Sequence, residues 1–186
     1  MRRSVISDAP GADARRLLAF YRGEGTDHRG RRLADIQAFG WDELERAHDY
    51  VQWMFPLFER SRFQPHAPVL DEATAQRFRD DPRARQELRT SLSTMLEFYG
   101  LRLLRAEDEL RPRVVCGPDF ERRSAVWLTP MNHNHLRLTR ILTSLTVLGE
   151  GELARALLDC LEHIAREHVD SISEETLLHW RGAVSE

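Results

Sequence analysis

The sequence predicts an all-α fold: one compact domain built as a bundle of about six or seven helices. Three observations carry this expectation. Apolar residues recur at helical spacing through most of the chain. Prolines and glycines punctuate the gaps between these runs. A single short stretch, Val114–Cys116, reads as β structure.

Residues 1–11 read as a loose tail and residues 12–186 as the domain. Asp13–Tyr21 is a short helix with Leu17, Leu18 and Tyr21 on one side, broken by Gly23, Gly25 and Gly30. Asp42 is placed to cap a helix running to about Phe55, where Pro56 stops it. The apolar stripe of that helix is Leu44, Ala47 or His48, Val51 and Phe55, and Asp49 faces outward. Ser61–Leu70 holds two prolines and is a loop, followed by a short helix over Asp71–Arg79. Pro82 opens a longer helix to Tyr99, with Leu88, Leu92, Met95, Leu96 and Tyr99 inward and Gly100 as its C-terminal cap. Residues 105–130 show no long periodicity beyond the β fragment and a helical turn around Phe120–Trp127. Asn134–Leu148 is helical and ends at Gly149; Glu152–His168 follows, with Ala154, Leu157, Leu158, Leu161, Ile164 and Ala165 on one face. Ser173 caps a last helix, Glu174–Val184.

Composition narrows the function classes. Apolar residues make up 41% and charged residues 31% of the 186 residues, which suits a globular chain. No run approaches the roughly 18 apolar residues of a membrane span, and MRRSVISDAPGADARR has no apolar segment of a secretory signal. A cytoplasmic protein is the expectation. All 27 basic residues are arginine, but 30 acids offset them to a net charge of −3, which argues against a nucleic-acid partner. Cys116 and Cys160 form no C-x-x-C and are expected to be reduced thiols.

Two stretches mix polar and large apolar side chains on otherwise helical segments: HDYVQWMFP (48–56) and NHNHLRLTRIL (132–142). Buried polar groups must be hydrogen-bonded, so such mixtures mark an internal network or a ligand pocket. His48 lies on the apolar stripe of its helix and is expected to be buried and bonded, with Gln52 one turn on. His133 and His135 are about 200° apart on a helix, and no third or fourth ligand accompanies them; no metal and no cofactor are expected. Asn132 or Asn134 can cap the second segment, and His133, Arg137 and Arg140 share a stripe there. A helix start with such donors can hold a carboxylate or phosphate; the structural alternative is that Arg137 and Arg140 pair with acids such as Glu45 or Asp49. No nucleophile elbow or other catalytic motif is present.

At these stretches the chain resembles the conserved domain of the opioid growth factor receptor family. The matching pieces are Phe20-Tyr21-Arg22, HDYVQWMFPL (48–57), Ser61 with Ala67-Pro68, Phe98-Tyr99-Gly100, and HNHLRLTRIL (133–142) with Ser144-Leu145 and Gly149. They occur in family order over roughly Leu18 to Leu161. The resemblance implies binding of an enkephalin pentapeptide and peripheral association with nuclear membranes, and brings no catalytic residue. The chain is nearly all conserved domain, without the namesake's repeat-bearing tail.

These readings combine into one expectation. The domain binds a small anion or a short peptide with a free carboxylate, where the His48–Phe55 helix meets the start of the Asn134–Leu148 helix. Arg137 and Arg140 supply charge, Asn132, His133, His48 and Gln52 hydrogen bonds, and Tyr50 and Trp53 the wall. The rivals are an enzyme using His48 or His133 as general base in the same pocket, and a module whose helix face binds a partner helix.

Overall fold

A computed structural model describes residues 11–104 and 111–185. Of the expected tail, residues 1–10 lie outside the described residues and Gly11 caps the first helix. Among the described residues the fold is ten helices and one two-stranded hairpin: α1 (Ala12–Tyr21), α2 (Leu33–Gln37), α3 (Trp41–Arg46), α4 (Val51–Met54), α5 (Glu72–Asp80), α6 (Pro82–Tyr99), β1 (Leu101–Leu104), β2 (Arg113–Cys116), α7 (Phe120–Trp127), α8 (His133–Val147), α9 (Gly151–Glu167) and α10 (Glu174–Val184). Seven of the helices exceed six residues, in line with the expected bundle. Among the described residues no helix is long and apolar enough to cross a membrane.

Helix ends follow local chemistry where the signals are strong. Asp71 caps α5 through Thr74, Asp81 caps α6 ahead of Pro82, and Ser173 caps α10. Gly100 closes α6 at φ 76°, a left-handed turn that glycine adopts freely. A Cβ there would stand 2.7 Å from the Cα of Phe120, so this glycine also lets α7 pack against the end of α6. The chain leaves that turn as β1, which pairs antiparallel with β2 from Leu101↔Cys116 to Leu104↔Arg113.

The core is aromatic. Phe20, Tyr21, Tyr50, Trp53, Phe55, Phe78, Phe98, Tyr99, Trp127 and Trp180 are all essentially inaccessible. Each such ring buries 150–250 Å² when fully enclosed, about 3 kcal/mol or more of transfer free energy. α8 lies against α9 and α10, α9 against β2, and α6 against β1, α7 and α5. Glu150, buried at the α8–α9 corner, accepts from Arg85 Nε at 2.9 Å and Arg89 Nε at 3.0 Å, which fastens α6 to that corner.

One expected helix is two. The Asp42–Phe55 segment breaks at Ala47, whose backbone is extended at ψ 130°, and resumes only at Val51. Gly40, rather than Asp42, is the N-cap; Asp42 sits in the first turn, where a carboxylate favours the helix dipole. The break rotates the following residues out of helical phase. His48, expected inside, is exposed, and Asp49, expected outside, is buried. Asp49 is held there by Arg31 Nη2 at 3.0 Å, Arg29 Nε at 2.5 Å and His28 Nε2 at 3.4 Å. α2 and β1 are the other elements that the sequence reading does not contain.

Candidate functional site

The two polar-apolar stretches meet directly. The break between α3 and α4 leaves the last carbonyls of each short helix without intrahelical donors, and the buried face of α8 supplies them. Arg137 Nη1 donates to Leu44 O at 3.0 Å, and Nη2 to Ala47 O at 2.9 Å and Glu45 O at 3.4 Å. Nη1 also donates to Asn134 Oδ1 at 3.1 Å, and Nη2 to His48 Nδ1 at 3.0 Å. One turn on, Arg140 Nη1 donates to Phe55 O at 2.9 Å, and Ser144 Oγ to Pro56 O at 3.0 Å. Three α8 side chains thus cap α3 and α4 in trans, and the two cations sit where helix dipoles favour positive charge.

The α8 N-terminus has its own roles. Asn132 caps the helix by accepting from Asn134 N–H, and its Nδ2 donates to Val126 O at 3.0 Å and Thr129 Oγ1 at 2.9 Å. Asn134 is wholly buried, bridging Arg137 and Glu45 Oε2. His133 and His135 point apart, as helical geometry requires. His133 is exposed, 3.5 Å from Glu45 Oε1 and edge-on to His48 at 5.3 Å. His135 is buried, with Nε2 3.0 Å from Trp127 O, so that nitrogen carries the proton. Burial and the charge of Arg137 hold His133 below the usual histidine range against the pull of Glu45; burial lowers His135 against its carbonyl bond.

The expected pocket wall is core. Tyr50 hydroxyl donates to Leu44 O at 2.9 Å, and burial pushes its pKa up. Trp53 packs on Phe20 at 5.1 Å, with the Arg16 guanidinium 5.1 Å from its ring centre. Trp53 Nε1 and Gln52 Oε1 are closed off from solvent without hydrogen-bond partners among the described residues. Of the eight expected ligand-binding residues, the fold brings His48, Asn132, His133, Arg137 and Arg140 together, and sets Tyr50, Gln52 and Trp53 inside. The seam is filled by its own hydrogen bonds. The structural alternative for Arg137 holds in a modified form: Glu45 is 3.7 Å away, but backbone carbonyls take most of its donors. Arg140 differs. It is half-buried, with one carbonyl and no carboxylate in ion-pair range among the described residues, and burial brings it down to about 10.

These two stretches now have a shared physical purpose, and they fall inside a matched family region. A family model for the opioid growth factor receptor conserved region matches residues 30–185. The chain belongs to the opioid growth factor receptor family. Its conserved region is 36% identical over 138 residues to the mouse (Mus musculus) opioid growth factor receptor, covering 74% of this chain and 19% of that protein. The rat (Rattus norvegicus) receptor is 33% identical over 165 residues, 87% of this chain and 26% of that protein. Rat opioid growth factor receptor-like protein 1 is 30% identical over 125 residues, 67% of this chain and 26% of that protein. The chain therefore spans about a fifth to a quarter of the length of the relatives it matches. No solved structure matches it.

Away from the seam, open space lies along β2. A cleft of about 540 Å³ runs along all five residues Pro112–Cys116 and is floored by Ala156, Asp159, Cys160 and His163 of α9. A second cleft of about 460 Å³ shares Pro112, Arg113, Ala156 and Asp159 and adds Arg111, Glu152 and Arg155, so the two form one groove. Gly117 N–H donates to Gly100 O at 2.7 Å, which with the register makes Arg102/Val115 and Leu104/Arg113 the hydrogen-bonded pairs. The peptide groups of Val114 and Cys116 consequently point away from β1. Nothing in periodicity signals this groove. Its arginines read as ordinary surface charge, and the pattern of β2 identifies a strand but not a free edge.

Proposed function

We propose that the chain is a non-catalytic ligand-binding domain that takes a short peptide with a free carboxylate in the groove between β2 and α9. The observation that carries this reading is the outward edge of β2: backbone donors and acceptors at Val114 and Cys116 line a groove that also holds Arg111 and Arg155. An extended peptide adds to such an edge through main-chain hydrogen bonds, and an arginine takes its terminal carboxylate. The relatives' names, receptors of an opioid growth factor, agree with a binding role. The expected seam site loses ground because Arg137 is committed to three carbonyls.

Titration of isotope-labelled protein with an enkephalin pentapeptide, as free acid and as C-terminal amide, tests the proposal. The amide signals of Val114 and Cys116 should shift, and the amidated peptide should bind roughly tenfold or more weakly, the worth of one charge-assisted hydrogen bond. No shift at millimolar peptide, or shifts confined to residues 48–55, would overturn it. One observation favours a second reading, a small-anion site at the rim of the seam: Arg140 is a half-buried cation without a carboxylate partner among the described residues. Sulfate or phosphate protection against thermal unfolding that disappears in Arg140→Gln would mark that site.

A further inference from the structure

Two thiols meet at the floor of the groove although they come from different elements. Cys116 ends β2 and is exposed; Cys160 lies in the middle of α9 and is buried. β2 packs along α9, both residues line the same cleft, and the two thiols are near enough to act on each other electrostatically. We propose that Cys116 and Cys160 are a reversible dithiol–disulfide pair, oxidised by exchange with a small-molecule disulfide such as glutathione disulfide that enters by the groove. The inference does not depend on the peptide reading.

The exposures assign the order of events. Cys116, reachable from solvent, loses its proton and its sulfur attacks one sulfur of the small disulfide. That S–S bond breaks, one thiolate leaves and takes up a proton, and Cys116 becomes a mixed disulfide. Cys160 then loses its proton and attacks the Cys116 sulfur, and the second small thiol departs. In balance, the protein dithiol is oxidised by two electrons, losing two protons, and the small disulfide is reduced to two thiols. The electrostatics of the pair agree with these roles: the neighbouring thiol holds Cys116 down and Cys160 up, which favours the thiolate on Cys116. Burial nonetheless raises both thiols, Cys160 to about 12. Exchange is therefore slow at neutral pH, and its rate climbs with pH as the Cys116 thiolate becomes populated. The bond formed would tie β2 to α9 and fix the width of the groove.

The test uses the whole chain, reduced, freed of reductant and exposed to glutathione disulfide, with intact mass, free-thiol titration and a non-reducing gel as readouts. The wild type should lose both free thiols and two hydrogen atoms of mass, remain monomeric by gel, and recover both thiols with excess glutathione. Cys160→Ser should stop as a mixed disulfide on Cys116, heavier by one glutathionyl group. Cys116→Ser should leave Cys160 unmodified while folded, since it is buried. A wild-type protein that accumulates the mixed disulfide, cross-links between molecules, or keeps both thiols free through the alkaline range would overturn the proposal.

Discussion

The seam between α8 and the α3–α4 break, and the groove between β2 and α9, are opposites. The seam is dense in polar side chains and shut; the groove is plain in sequence and open. At the seam, Arg137, Asn134 and Ser144 are buried and serve backbone carbonyls or one another. Along the groove, Arg155, Asp159 and His163 are exposed and the outer edge of β2 stays unpaired by β1. Conspicuous polar residues among apolar ones mark where a fold must satisfy its own backbone, and that demand uses up the groups that would otherwise greet a ligand.

Removing the centre of the seam gives the largest effect that could break this contrast. Arg137→Ala leaves the carbonyls of Leu44, Glu45 and Ala47 short of donors and Glu45 and Asn134 without their cation. Urea denaturation should show a loss on the order of 3–5 kcal/mol, the cost of breaking a buried charged network by removing one partner. A loss under about 1 kcal/mol would mean that the seam behaves as surface and that Arg137 is free for other work. Single neutral bonds on either side of it cost less. Tyr50→Phe removes the bond to Leu44 O, and Ser144→Ala the bond to Pro56 O; each should cost about 1 kcal/mol.

How much of this was legible differs by region for a physical reason. The ends of α6 and α10 are written in adjacent residues, Asp81-Pro82 and Gly100 for one and Ser173 for the other, and periodicity and structure agree there. The break at Ala47–Tyr50 is not local. Its partner is Arg137, 90 residues on, which donates to the Ala47 carbonyl where the apolar spacing would otherwise continue the helix. The misplaced insides and outsides of His48 and Asp49 go with the break and with the contacts of Asp49 to Arg31, Arg29 and His28, all from outside the segment. β1 was illegible because LRLL forms a strand only by pairing with β2 after the Gly100 turn. The candidate groove is an edge between elements distant in sequence, and no single stretch carries its signature.

Acid should act on the seam side of the molecule first. His133 and His135 have lowered pKa values when folded, from burial first and from Arg137 in the case of His133. Unfolded, both bind protons near about pH 6.5; folded, only below that. The unfolded chain carries more protons in between, so stability falls as pH drops through about 6.5 toward the folded values. Asp27, Asp71 and Asp81 are also depressed, Asp27 because its bonds to Arg31 outweigh the opposing burial, and their contribution is lost only lower, as pH falls through the carboxylate range. Urea midpoints taken from pH about 7.5 to 5 should decline, and His135→Gln should flatten part of the decline. A midpoint that is level over that span would detach the histidines from folding.

The smallest expected effect is the sharpest comparison. His48 belongs to the most conspicuous stretch in the chain, and its Nδ1 accepts from Arg137 Nη2 at 3.0 Å. It is nevertheless exposed, and Arg137 keeps three carbonyls and Asn134 when the imidazole is gone. His48→Ala should therefore change stability by no more than about 0.5 kcal/mol, the range of surface substitutions. Arg155→Glu, exposed on the groove side, should be equally mild in the absence of peptide. The two variants then diverge only with ligand present. If the groove is the binding surface, Arg155→Glu weakens the pentapeptide and His48→Ala does not; if the loss follows His48→Ala instead, the open rim of the seam is the site and the contrast between the two regions is reversed.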